Sequence, residues 1–117
     1  MSDGTDVRRG DVVIVRLDPA EGHEMKKTRP AVVVQNDIGN RNSSTTIVAP
    51  VTGTYREYPF EVFVEADGSP LETDSSVRLD QIRTVSVSER IHSVVGSLDG
   101  PTMADVDEAL KLSLDLH

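Results

Sequence analysis

The nine residues Gly22-His23-Glu24-Met25-Lys26-Lys27-Thr28-Arg29-Pro30 gather an imidazole, three cations and one carboxylate just ahead of an apolar run. A phosphoryl-transfer site needs a cation facing the non-bridging oxygens and a proton donor or acceptor near the attacking and leaving oxygens. It needs no metal when the nucleophile is the substrate's own hydroxyl, as the 2′-hydroxyl of RNA is. Arg29 can offer a phosphate two hydrogen bonds in fixed geometry. A guanidinium does not act readily as a base, because it holds its proton too strongly, whereas an imidazole such as that of His23 is a type of group suited to acid or base work. The plainer alternative is a solvated pair, Lys26 and Lys27, with Arg29 bound to Glu24 or Asp37 for structural reasons. Spacing alone leaves both open.

The composition excludes several other chemistries. There are no cysteines and only three scattered histidines, which rules out a disulfide framework, a thiolate nucleophile and cysteine zinc sites. No metal and no cofactor is expected. The net charge of −8 argues against a polyanionic partner over most of the surface, but the charge is uneven. Residues 1–56 hold eight of the twelve Lys and Arg against seven acids, and residues 57–117 hold four against thirteen. A basic site therefore belongs to the first half. No run approaches the 18 apolar residues of a membrane helix, and the N-terminus lacks a signal-peptide layout. The expectation is a soluble, cytoplasmic protein with no membrane contact.

At 117 residues, without repeats or a Pro/Gly/Ser-rich linker, the chain reads as one domain spanning 1–117. A flexible tail is expected over 1–8. The β-branched run Asp11–Leu17 reads as a strand, and Ala20–Arg29 as a long connecting loop of the kind that often carries function. Pro30–Gln35 predicts a strand covered on both faces, and Asn36–Asn40 is turn chemistry. Further strands are expected at Thr45–Val51, at Tyr58–Glu65 with Phe60, Val62 and Val64 inward, at Ser75–Val87 as two strands or one bent one, and at Ile91–Leu98. Only the end changes period: Met103, Val106, Leu110 and Leu114 recur at helical spacing, predicting an amphipathic helix over 101–116 whose stripe Leu112 and Leu116 widen. Short strands with close turn signals describe a small barrel or sandwich, here mainly β with a C-terminal α-helix.

Five segments in order carry a resemblance: Arg9-Gly10-Asp11-Val12; Gly22-His23-Glu24 with Lys26 through Val34; Pro50-Val51-Thr52; Tyr58-Pro59-Phe60-Glu61-Val62; and Leu79-Asp80-Gln81-Ile82-Arg83-Thr84. Together they resemble the MazF/PemK family of type II toxins over about Arg9 to Leu116. The resemblance implies an SH3-like barrel shared with the CcdB toxins, and a homodimer. It implies metal-independent, sequence-specific cleavage of single-stranded RNA, mostly messenger RNA, leaving a 2′,3′-cyclic phosphate and a 5′-hydroxyl. It also implies a MazE-like antitoxin as partner. The family's catalytic Arg and Thr fall on Arg29 and Thr52. A second set, known from PemK-like members, falls on His23, Arg78 and Asp80. For RNA contact the resemblance points to Glu24, Lys26, Asn36, Tyr58 and Gln81. Asn and Gln amides can read base edges, Tyr58 can stack on a base and Lys26 can hold the backbone. With aromatics at 3% of the chain, hydrogen bonding should carry more of the readout than stacking. The alternative is a CcdB-like toxin that grips a topoisomerase without cutting nucleic acid. The recognised RNA sequence is not legible here.

Overall fold

The computed structural model describes residues 6–18, 21–25 and 27–116. Seven strands and three helices occur in the order β1 (Asp11–Arg16), β2 (Thr28–Val33), α1 (Asp37–Asn42), β3 (Thr45–Thr52), β4 (Glu61–Val64), β5 (Ser75–Arg78), β6 (Arg83–Ser86), α2 (Val87–Arg90), β7 (Ile91–Ser97) and α3 (Gly100–Ser113). All pairings are antiparallel, in the order β4-β5-β3-β2-β1-β7, with β6 also paired to β3. The sheet is barrel-like as expected but not closed: among the described residues no ladder joins β4 to β7, and these two, like β6, have a single partner strand.

The central strands are apolar on both faces because both faces are covered. Val12, Val32, Val34, Ala49 and Val51 join Val62, Val77 and Leu79 in one cluster, which Val106 and Ala109 of α3 close. Val13, Val15, Ala31, Val33 and Val48 build the other with Leu17, Val85 and Ile91. Of the tail expected at 1–8, residues 1–5 lie outside the described residues. Val7 is buried in the second cluster, and the Arg8 N–H donates to the Asp11 carboxylate at 2.8 Å, so this part is packed.

Five elements differ from the sequence reading. Strand β4 spans only Glu61–Val64 of the expected Tyr58–Glu65, and a one-turn helix, α2, stands between β6 and β7 where only strands were expected. Strand β2 begins at Thr28, before Pro30, because Arg16 and Val15 of β1 pair with Thr28 and Arg29; Arg29 is a strand residue, not a loop residue. The Asn36–Asn40 turn signal opens the short helix α1, whose first turn Asn36 caps by accepting from the Gly39 N–H at 2.8 Å. Helix α3 ends at Ser113 rather than 116, with Leu114 as its cap and Asp115 turning left-handed at φ 57°; Leu112, Leu114 and Leu116 are exposed, so the buried stripe is narrower. Among the described residues no helix is long and apolar enough to cross a membrane.

The stretch Ser75–Ser86 resolves into two strands along one edge of β3, and the break between them shapes the rim of the sheet. Thr52 faces Ser76 and Val48 faces Arg83, so four steps along β3 are matched by seven on the other side. The three extra residues arch out as a bulge around Leu79–Ile82. Bulges of this kind re-aim side chains, and they recur beside active sites.

Candidate RNA-processing site

Arg29 and Thr52 come level because β2 and β3 are neighbours. Ala31 pairs with Pro50, a register that carried two residues further sets Arg29 opposite Thr52, and the Arg29 Nη1 group lies 3.5 Å from the Val51 carbonyl oxygen. Thr52 is the last residue of β3, half-buried and opposite Ser76. Both side chains stand at the same end of the sheet as the bulge that holds Asp80 and Gln81.

Across β5 lies an ionic network that the sequence reading found only in part. Arg78 grips Asp80 through Nε at 2.9 Å and Nη2 at 2.7 Å, the fork geometry of a strong guanidinium–carboxylate pair. Arg83, three residues after Asp80, donates instead to the Leu17 carbonyl at 2.8 Å and fastens the root of the β1–β2 loop. Next to Arg78 sits Glu61, whose side chain is 0% exposed. It accepts from the Arg56 N–H at 3.2 Å, from Arg56 Nε at 2.7 Å and from the Ser76 hydroxyl at 3.0 Å; Arg56 Nη2 pairs with it and Arg78 Nε stands 3.6 Å away. Burial alone would raise the Glu61 carboxyl, but the hydrogen bonds from Arg56 and Ser76 outweigh it and hold the group below the usual carboxylate value. Asp80 behaves in the same way: burial pushes up, and the Arg78 guanidinium brings it lower still. Asp80 in turn raises the pKa of Arg78.

Strict alternation along Tyr58–Glu65 places Glu61 on the solvent side with Phe63 and Glu65. Those two are exposed and Glu61 is not, because the loop before β4 folds back over it through Arg56. The legible signal was Arg56 five residues before Glu61 with Arg78 on the partner strand.

The remaining predicted residues separate into three groups. His23 and Glu24 are exposed in the β1–β2 loop; the Glu24 carboxylate accepts from the Glu21 N–H at 3.0 Å. Gln81 ties this loop to the bulge, its Oε1 accepting from the Met25 N–H at 3.2 Å. Lys26 lies outside the described residues. Tyr58, half exposed, stacks on Phe60 with ring centres 5.2 Å apart, and the Arg56 guanidinium lies 4.8 Å over its ring. Asn36 stands at the far end of β2, seven residues from Arg29 and so roughly 20 Å away at the rise of an extended strand. There its side chain caps α1. Asp37, the other partner considered for Arg29, accepts from the Arg9 N–H at 2.7 Å and from Asn40 at 3.0 Å.

A groove of about 740 Å³ runs between β4 and α3, with Tyr55, Phe63, Leu112 and Leu116 on its walls and Glu61 at its inner end. The site therefore offers cations, hydroxyls and two ionised carboxylates, a set suited to binding and orienting a phosphodiester.

Comparison with known proteins identifies the family of the chain. The family model described as "PemK-like, MazF-like toxin of type II toxin-antitoxin system" matches residues 8–114. The chain is 43% identical over 112 residues to Endoribonuclease EndoA of Bacillus subtilis (strain 168), covering 94% of this chain and 96% of that protein. A solved endoribonuclease in complex with its cognate antitoxin, from Mycobacterial species, superposes with a TM-score of 0.80 at 25% identity, over 95% of this chain and 97% of its own. MazF from Deinococcus radiodurans shares the fold with a TM-score of 0.82 at 24% identity, over 97% and 100%. The chain belongs to the PemK-like, MazF-like family of type II toxins.

Proposed function

We propose that this toxin is an endoribonuclease that cuts single-stranded messenger RNA at a specific sequence, using the neighbouring 2′-hydroxyl as nucleophile. The 2′-oxygen attacks phosphorus, the bond to the 5′-oxygen breaks, and a 2′,3′-cyclic phosphate and a 5′-hydroxyl result. Arg29 neutralises the charge that builds on the non-bridging oxygens, and the Thr52 hydroxyl donates to one of them. With that charge met by a guanidinium, no metal is required. Asp80, kept ionised by Arg78, serves as an acceptor rather than a proton donor. His23 is the group suited to proton exchange, two residues before the point where Gln81 tethers the loop. Tyr58, Gln81, Glu24 and Lys26 border the RNA. Asn36 is spent on its helix cap, and we assign it to the fold.

The single observation that carries this reading is the β2–β3 register, which sets Arg29 against the Val51 carbonyl and level with Thr52, in a chain so similar to an endoribonuclease. The family match favours the nuclease over a CcdB-like topoisomerase binder. A second copy of the chain and a MazE-like antitoxin are its protein partners, in keeping with the antitoxin-bound relative, and it works in the cytoplasm with its substrate.

The test is long single-stranded RNA incubated with the purified chain in the presence of a chelator. Cuts at a recurring sequence with 2′,3′-cyclic phosphate ends are expected, and one 2′-deoxy substitution at the cut should abolish them. Arg29→Ala should cut about 10²–10³-fold more slowly, the usual cost of losing one oxyanion donor. Equal cleavage of an all-deoxy strand overturns the reading.

A further inference from the structure

We infer that Glu61 is a positioning residue for RNA cleavage, its buried carboxylate fixing Arg56 and Arg78 so that both present their remaining N–H groups to the substrate. The inference rests on the nuclease reading above.

A buried carboxylate costs several kcal/mol in desolvation, and well-packed apolar groups at such places are often as stable or more so. The other buried positions of β4, Val62 and Val64, are apolar. A carboxylate at Glu61 is therefore best explained by what it holds. Through the Arg56 N–H and guanidinium it pins the loop between Thr52 and β4, which turns left-handed at Glu57 (φ 62°) and carries Tyr58. Through Arg78 Nε it braces the cation that grips Asp80 in the bulge. Through Ser76 it bonds the residue that faces Thr52 across the ladder. One side chain thus links the Thr52 strand, the Tyr58 loop and the Asp80 bulge.

The two guanidiniums are held alike. Arg56 meets Glu61 through Nε and Nη2, and Arg78 meets Asp80 through Nε and Nη2, while Arg56 Nη2 and Asp80 Oδ2 come within 4.0 Å. A guanidinium held by that edge turns its Nη1 group away from the carboxylate. Two such groups, on the loop that follows Thr52 and on the strand that pairs with it, are what two oxygens of a bound ribonucleotide can use. Their aim depends on Glu61, whose own oxygens are taken up by Arg56 and Ser76.

Steady-state cleavage of a short RNA with one cut site, by the full chain, tests this. Glu61→Gln keeps the volume and one acceptor oxygen, but turns an NH₂ toward the Arg56 fork. Its kcat is expected to fall about tenfold while KM moves by less than about threefold, the pattern of a contact set felt mainly in the transition state. Glu61→Asp keeps the charge, folds if the amide does not, and should retain about a third of kcat with KM unchanged. Unchanged kcat in either variant, or a loss confined to KM, overturns the inference. So does an activity loss that merely tracks the unfolded fraction in a melting curve. A wild-type chain that leaves RNA intact removes the cleavage reading instead, which keeps the two failures apart.

Discussion

The two loops that border Arg29 and Thr52 turn by the same device and are anchored in opposite ways. Each passes through a left-handed residue that is not glycine, Lys27 (φ 72°) before β2 and Glu57 (φ 62°) before β4. Such a residue costs about 1–2 kcal/mol unless its surroundings hold it. At Lys27 the holder is the partly exposed Asp18 carboxylate, which accepts the Lys27 N–H at 3.0 Å, with Leu17 donating to the Lys27 carbonyl. At Glu57 the holder is the fully buried Glu61, acting through the neighbouring Arg56. The lesson is a division of labour. Among the described residues, the loop with His23 and Glu24 is fastened at its root and at Met25, which Gln81 bonds and the second cluster packs, while His23 and Glu24 themselves stay exposed, so that this part can adapt to what it binds. The loop with Tyr58 is locked to the sheet, so it can hold a geometry.

The largest test of that contrast is a pair of truncations read by urea unfolding. Glu61→Ala should cost about 3 kcal/mol, because the Arg56 N–H, the Arg56 guanidinium and the buried Ser76 hydroxyl all lose their acceptor, and Arg78, only 13% exposed, is left with Asp80 alone. The estimate sits at the low end because Arg56 is partly solvated. Asp18→Ala should cost about 1 kcal/mol, the usual worth of one hydrogen bond near the surface. Equal costs would erase the distinction.

Acid offers a gentler probe of the same anchor. Glu61 and Asp80 both titrate below their ordinary values in the fold. Their contribution is therefore complete above the unfolded values of about 4 and is lost as pH falls through the lower folded values. Stability should hold from pH 7 to about 5 and then decline. The gap between the wild-type chain and Glu61→Gln should narrow over the decline, because protonation does to Glu61 what the amide already did. A gap of constant width would mean that the Glu61 charge contributes nothing to the lock.

What was legible in the sequence divides along the same line. Runs such as Asp11–Arg16 and Ala31–Val34 announce their strands because β-branched residues fit a covered sheet, and α3 shows its period from Met103 to Leu110. Arg29, Thr52, Asp80 and Gln81 were visible through resemblance, and the fold gathers all four at one end of the sheet. Glu61 was not, since alternation assigns a side chain to a face but cannot tell that a loop folds back to cover it. Asn36 shows the reverse error: an amide able to read a base was also an N-cap, and only the helix that starts at Asp37 decides between them. The bulge at Leu79–Ile82 was hidden too, because it exists only relative to the register of β3.

The smallest effect probes the exposed anchor alone. Replacing Lys27 by Ala or by Gly removes the same charge and nearly the same side chain, so the difference between the two variants isolates the backbone. At an ordinary position Gly is the less stable, by about 0.5–1 kcal/mol, because its unfolded chain is freer. At a left-handed position Ala meets a steric cost of about 1–2 kcal/mol that Gly escapes. The sign should therefore invert, with Lys27→Gly more stable than Lys27→Ala by about 0.5–1 kcal/mol in urea midpoints. The same inversion is expected at Glu57, with one added consequence. Freeing the backbone there loosens Arg56 and Tyr58 and should lower RNA cleavage, whereas Lys27→Gly should leave the rate within about twofold of Lys27→Ala, because its loop is held by few contacts already. If both glycines slow cleavage alike, the β1–β2 loop is as locked as its neighbour, and His23 is held in place rather than free to adapt.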